Sequence, residues 1–268
     1  MIVAFWSNVH GQPRTTSNMV SVAAAMAIAY NRKCLVTQTH YNLNNLESYL
    51  IGNRENNKNV YMDMGLDGLT SIIKLRAIDK STIENYSIPL LNKYLTLVPG
   101  TTGGNKKTFI DDMGKTATRL LIEMNKYYEM VFVDVNSGSD EVSRLILDIA
   151  DIIVVNLCQN KSVLDNYMKS WLMMNRKVMY LFGNYDRNST YNLHNLRMLY
   201  KPFSKGCTAV IPYNAGFMDA QSDGCVIKYM KKNMAVIKND SNNYFIDSVK
   251  DAAEKLIRLS REKRGGVI

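Results

Sequence analysis

The four cysteines, Cys34, Cys158, Cys207 and Cys225, lie far apart and form no CxxC pair. That spacing speaks against a zinc site or a dithiol redox motif. Cys34 and Cys158 fall in strand-like apolar runs, where a free thiol behaves as a small buried hydrophobe. No apolar run reaches the roughly 18 residues that cross a bilayer. The most apolar helical stretch, "MVSVAAAMAIAY", is shorter, and Asn31, Arg32 and Lys33 follow it. No basic stretch leading into an apolar one opens the sequence, so a signal peptide is not expected and a cytoplasmic protein is. Internal repeats, low-complexity tracts and an inter-domain linker are also missing, so residues 1–268 are expected to form one domain.

What is present suits a soluble globular chain with a real core: 46% hydrophobic and 21% charged residues. The formal net charge of +9 favours an acidic partner such as nucleic acid, an anionic membrane surface or a nucleotide. Part of the excess is C-terminal, with ten basic against five acidic residues from Val226 onward.

Short β-like runs alternate with helical ones. "IVAFWS" (2–7), "CLVTQT" (34–39), "YLTLVPG" (94–100), "MVFVDV" (130–135), "DIIVVNLC" (151–158), "KVMYLFGN" (177–184) and "TAVIPYN" (208–214) read as strands. Helices are expected over 16–31, 45–52, 107–128, 140–150, 162–174 and 245–263. Most strands are continuously apolar rather than alternating, the pattern of a sheet covered on both faces. The expected fold is therefore α/β: a doubly wound, mostly parallel sheet with helices on both faces. Residues 53–93 are less readable: "NRENNKN" (53–59) is a polar loop, and short helices are expected after it.

Between the first strand and the first helix lies "SNVHGQPRTTS" (7–17), the place of a phosphate-binding loop. Such a loop needs small residues whose amides face phosphate oxygens, a lysine for the outer phosphates and a Ser/Thr hydroxyl for magnesium. The helix that follows adds the positive end of its dipole. Here the context is right but the residues only partly so.

At this loop the chain resembles the ParA/MinD family of deviant phosphate-loop ATPases, whose loop reads roughly KGGxGKTT. Val9 stands at the signature lysine, His10 at the first glycine and Gly11 at the second. Gln12 takes the variable place, Pro13 replaces the third glycine and Arg14 the catalytic lysine, while Thr15 and Thr16 match. Further stretches resemble the family in the same order: "NNLESYLIG" (44–52), "LTLVPG" (95–100), "VFVDVNSG" (131–138), "FGNYDRNS" (182–189) and "VIPYNAGFMDAQSDG" (210–224).

The resemblance implies ATP and Mg2+ as cofactors and a homodimer. It implies that Thr15 and Asp134 serve the metal, with Asp134 acting through water, and that Gly138 gives an amide to the terminal phosphate. Asn184 and Asp186, or Pro212, Tyr213 and Asn214, would meet the base.

Departures from the family loop imply impaired hydrolysis. Pro13 has no N–H. Arg14 is a planar fork rather than a compact ammonium. Val9 removes the lysine that reaches a partner's nucleotide. In "TQTHYN" (37–42) Thr37 and Thr39 stand where relatives carry aspartates, one of which orients the attacking water; His40 is nearby.

Three functions follow. One is an ATP-dependent positioning or partitioning protein that binds DNA non-specifically. Another is a non-hydrolysing scaffold resembling the Tad pilus localisation proteins. The third is peripheral membrane contact through the basic, amphipathic last helix, against which a helix packed into the core is the plainer reading.

Overall fold

A computed structural model describes all residues except 42–44, 53–63, 102, 173–175, 236–240 and 263–268. Its strands are β1 (Ile2–Trp6), β2 (Cys34–Gln38), β3 (Ile88–Leu91), β4 (Leu95–Leu97), β5 (Met130–Asp134), β6 (Ile152–Leu157), β7 (Val178–Tyr185) and β8 (Thr208–Pro212). They form one sheet in the order β3-β4-β2-β5-β1-β6-β7-β8. Every neighbouring pair is parallel except β3 with β4. The α/β, mostly parallel reading holds, with one antiparallel edge strand where a short helix was expected.

The continuous apolar strands are buried on both sides. In β1, Val3 and Phe5 enter one core while Ile2, Ala4 and Trp6 enter the other. The first layer contains α1 (Thr15–Ala29), α2 (Asn45–Ile51), α9 (Ala215–Ser222), α10 (Val226–Met234) and α11 (Ser241–Arg261). The opposite layer contains α3 (Leu66–Leu75), α4 (Lys80–Asn85), α5 (Lys106–Asn125), α6 (Glu141–Ile149), α7 (Lys161–Ser170) and α8 (Leu193–Leu199).

Helix α1 is apolar all round because it is enclosed all round: every residue from Ser17 to Ala27 is buried. Its alanines let it lie close between the sheet and α11. Helix α11 is amphipathic, and Phe245, Val249, Ala252, Ala253 and Leu256 sink its apolar face into the same core. That face is not available to a membrane. No helix among the described residues is long and apolar enough to cross one. Residues 263–268, the end of the basic tail, and the polar loop read at 53–59 lie outside the described residues.

Several boundaries shift. The first helix starts at Thr15 and ends at Ala29, and the long helix spans 106–125. Cys158 lies just beyond β6 and is half-buried rather than a strand residue. Helices α8, α9 and α10 were not expected from the sequence; each is only seven to nine residues long.

Candidate functional site

The sheet order decides where a ligand can enter. From β1 the chain goes through α1 in one layer to β2; from the adjacent β5 it goes through α6 in the other layer to β6. The two loops therefore part at the carboxyl ends of neighbouring strands, which opens a crevice at a topological switch point. A cleft of about 300 Å³ occupies that place, lined by Gly11, Arg14, Thr15, Thr16, His40, Tyr49 and Asp134 among others.

The loop after β1 is built by local turns. Gly11 has φ 77°, the Gln12 N–H donates to the His10 carbonyl at 2.9 Å, and the Arg14 N–H reaches the Gly11 carbonyl at 3.5 Å. Arg14 itself is left-handed (φ 59°, ψ 42°), a conformation that costs a non-glycine residue roughly 1–2 kcal/mol. The turn is pinned from below. Asn18 Nδ2 donates to the Pro13 carbonyl and to Asn156 Oδ1, both at 2.9 Å. Asn156 Nδ2 in turn donates to the Val154 and Trp6 carbonyls. Strand β7 passes so close that a Cβ on Gly183 would lie 2.2 Å from the Pro13 carbonyl oxygen. This explains a glycine inside an otherwise apolar strand.

Six other helices begin with an Asn or Asp side chain accepting from a first-turn amide: Asp79, Asn105, Asp140, Asn160, Asn192 and Asn214. Helix α1 begins at Arg14 with no side-chain cap. The amides of Thr15, Thr16 and Ser17 have no intrahelical acceptor, and the positive end of the helix dipole faces the cleft. Arg14 adds a guanidinium whose Nη1 lies 3.6 Å from the Met218 sulfur of α9. Among the described residues no ion pair involves it.

Asp134 closes the floor at the end of β5, 1% exposed. Its Oδ2 accepts the Thr16 hydroxyl and lies 3.3 Å from His40 Nε2. The resemblance gave Thr15 the hydroxyl for the metal, and Thr15 lines the cleft; the hydroxyl bonded to Asp134 is that of Thr16. The Thr39 amide and hydroxyl both donate to the Asp134 carbonyl, at 3.0 and 3.3 Å. His40 is itself buried, and its Nδ1 has no partner among the described residues.

Gly138 has φ 89°, and its N–H donates to the Ser7 carbonyl at 3.1 Å, so the amide expected for a terminal phosphate is engaged here. Its carbonyl accepts from Trp6 Nε1 at 2.9 Å, which ties the loop after β5 to β1. Gln12 points toward the loop after β6, its Oε1 accepting from Asn160 Nδ2 at 3.4 Å.

The residues expected near the base lie outside the cleft lining, at the carboxyl ends of β7 and β8. Asn184 is exposed, with φ 53°, where the β7–β8 register shifts. Asp186 holds a turn: its Oδ1 accepts from the Asn188 amide at 2.8 Å, and its own N–H donates to Gln159 Oε1 at 2.7 Å. Pro212 ends β8, Tyr213 is 60% exposed, and Asn214 caps α9 through the Phe217 amide at 2.8 Å.

Sequence reasoning missed Tyr49, which lines the cleft from α2. Burial raises its hydroxyl pKa, Arg14 opposes the rise, and Asp134 adds to it. Nothing in the run "NLESYLI" marks it, because only the packing of α2 brings it to the cleft. The Asn18–Asn156 pair was likewise invisible, being two polar residues 138 positions apart inside apolar runs.

Phosphate groups fit this place: open amides, an uncommitted guanidinium, and a volume at the lower end of ligand pockets. A magnesium ion fits less well, because one of the two Asp134 oxygens, Oδ2, already receives two protein donors.

No protein-family model matches the sequence, and no curated protein is similar to it at a significant level. Solved structures do match. The ParA family ATPase from Chlorobium tepidum superposes with a TM-score of 0.72 at 14% identity, over 94% of this chain and 98% of that one. The Pyrococcus furiosus cell division ATPase MinD gives 0.72 at 13%, over 96% and 98%. MinD from Pyrococcus horikoshii, complexed with Mg-ADP, gives 0.65 at 14%, over 97% of each chain. At these identities the likeness is one of fold, and over nearly its whole length the chain has the fold of the ParA and MinD ATPases.

Proposed function

We propose that this chain is a ParA/MinD-like nucleotide-binding protein that positions or partitions DNA or a cellular machine, with hydrolysis impaired. The observation that supports it best is the uncapped start of α1, opening with Arg14 onto a cleft floored by Asp134. ATP is the ligand this reading assigns. Its phosphates lie at the α1 amides and its base outside the cleft, along the ends of β7 and β8, within reach of Asn184, Asp186, Pro212, Tyr213 and Asn214.

Slow turnover follows from the residues present. Pro13 withholds an amide, Thr37 and Thr39 carry no carboxylate, and Thr39 is committed to the Asp134 carbonyl. In this reading the protein works as a homodimer in the cytoplasm and meets DNA through its basic surface without sequence preference.

The test is calorimetric titration with ATP together with phosphate release by the purified chain. Micromolar binding, about −8 kcal/mol, with little release is the expected pair of results. Release comparable to that of an active ParA or MinD would overturn the impaired-site reading. DNA binding that weakens steeply with salt supports partitioning; an oligomeric state indifferent to ATP supports instead a non-hydrolysing scaffold of the pilus-localisation kind.

A further inference from the structure

We infer that the cleft holds the phosphates of its nucleotide without a divalent cation, His40 and Arg14 taking the places magnesium would fill. This rests on the nucleotide reading above. A buried carboxylate must be compensated, by a cation or by protein donors. Asp134, 1% exposed, is compensated by donors: its Oδ2 accepts the Thr16 hydroxyl and faces His40 Nε2 at 3.3 Å.

Magnesium demands an octahedral shell of oxygens at roughly 2.0–2.1 Å and keeps several waters. Its approach to that oxygen meets the positive end of an imidazole N–H. The ring cannot easily swing aside. It is buried, and the preceding residue, Thr39, is bonded twice to the Asp134 main chain.

The positive charge a polyphosphate needs is available from other groups. Arg14 has only a thioether as its side-chain hydrogen-bond partner among the described residues. A guanidinium can take two phosphate oxygens at once, which a single ammonium cannot. The uncapped α1 start adds the equivalent of about half a positive charge.

The experiment is titration of the full chain with ATP in EDTA and again in excess magnesium. The expected affinities agree within about threefold. Arg14→Ala weakens binding about tenfold in both buffers. His40→Ala uncovers the Asp134 oxygen, so magnesium then tightens ATP by about tenfold. His40→Asn, which keeps an N–H, gains less and serves as the second variant should the alanine variant not fold. Binding by the wild-type chain only when magnesium is present overturns the inference and leaves the nucleotide reading standing. A His40→Ala variant as indifferent to magnesium as the wild type overturns the role given to His40. No ATP binding in either buffer overturns the nucleotide reading itself, and this inference with it.

Discussion

The two helix starts that flank the cleft differ in one respect. Helix α6 is closed: Asp140 accepts from the Ser143 amide and hydroxyl and from Asn136 Nδ2. Helix α1, across the crevice, begins with a left-handed arginine and no cap. Both starts have first-turn amides without an intrahelical acceptor and a dipole of the same sense. A carboxylate in place neutralises one, so only the other can attract an anion from solution. Position at the carboxyl edge of the sheet is therefore not enough to make a phosphate site; the missing cap is what distinguishes α1 from α6.

Changes on either side of that comparison should separate stability from binding. The largest effect is expected for Asn18→Ala, which strands the Pro13 carbonyl and Asn156 Oδ1 in the interior. We expect a loss of about 3 kcal/mol in urea unfolding, with ATP binding lost as well because the turn is no longer pinned. Gly183→Ala places a methyl 2.2 Å from the Pro13 oxygen. It should cost about 2 kcal/mol and, by displacing the loop, weaken ATP in calorimetry more than a substitution elsewhere in β7. Asp140→Ala opens α6 and should cost about 1 kcal/mol while leaving ATP affinity unchanged; a matching fall in affinity would show that the two lips do not act separately. An effect of similar size but opposite sign is expected for Arg14→Gly. It relieves the left-handed backbone and should stabilise the chain by about 1 kcal/mol while weakening ATP, measured by thermal melting with and without ligand.

Much of the fold was legible because its strands are continuous apolar runs separated by helices of ordinary length. Ile2–Trp6, Met130–Asp134 and Ile152–Leu157 were found close to where they were expected. The β3 edge strand was not legible: "IPLL" carries a proline and pairs only with β4, which Pro89 tolerates at an edge. Of the site, the loop from Gly11 to Thr16 and the aspartate ending β5 were marked by their neighbours in sequence. Its supporting residues were not, since Asn18 and Asn156 look like interruptions of apolar segments until they are seen bonded to each other.

The sequence by itself determined the alternation of strands and helices, the burial of strands on two faces, and the place of a loop before a small-residue helix. These follow from local pattern and from the cost of leaving apolar surface in water. Only the tertiary structure decided which groups meet Asp134. Thr16 comes from 118 positions away and His40 from 94, and the parallel pairing of β5 with β1 and β2 brings them to one carboxylate oxygen. Spacing along the chain cannot encode that meeting, because the direction each side chain takes at a strand end depends on the turn that follows it.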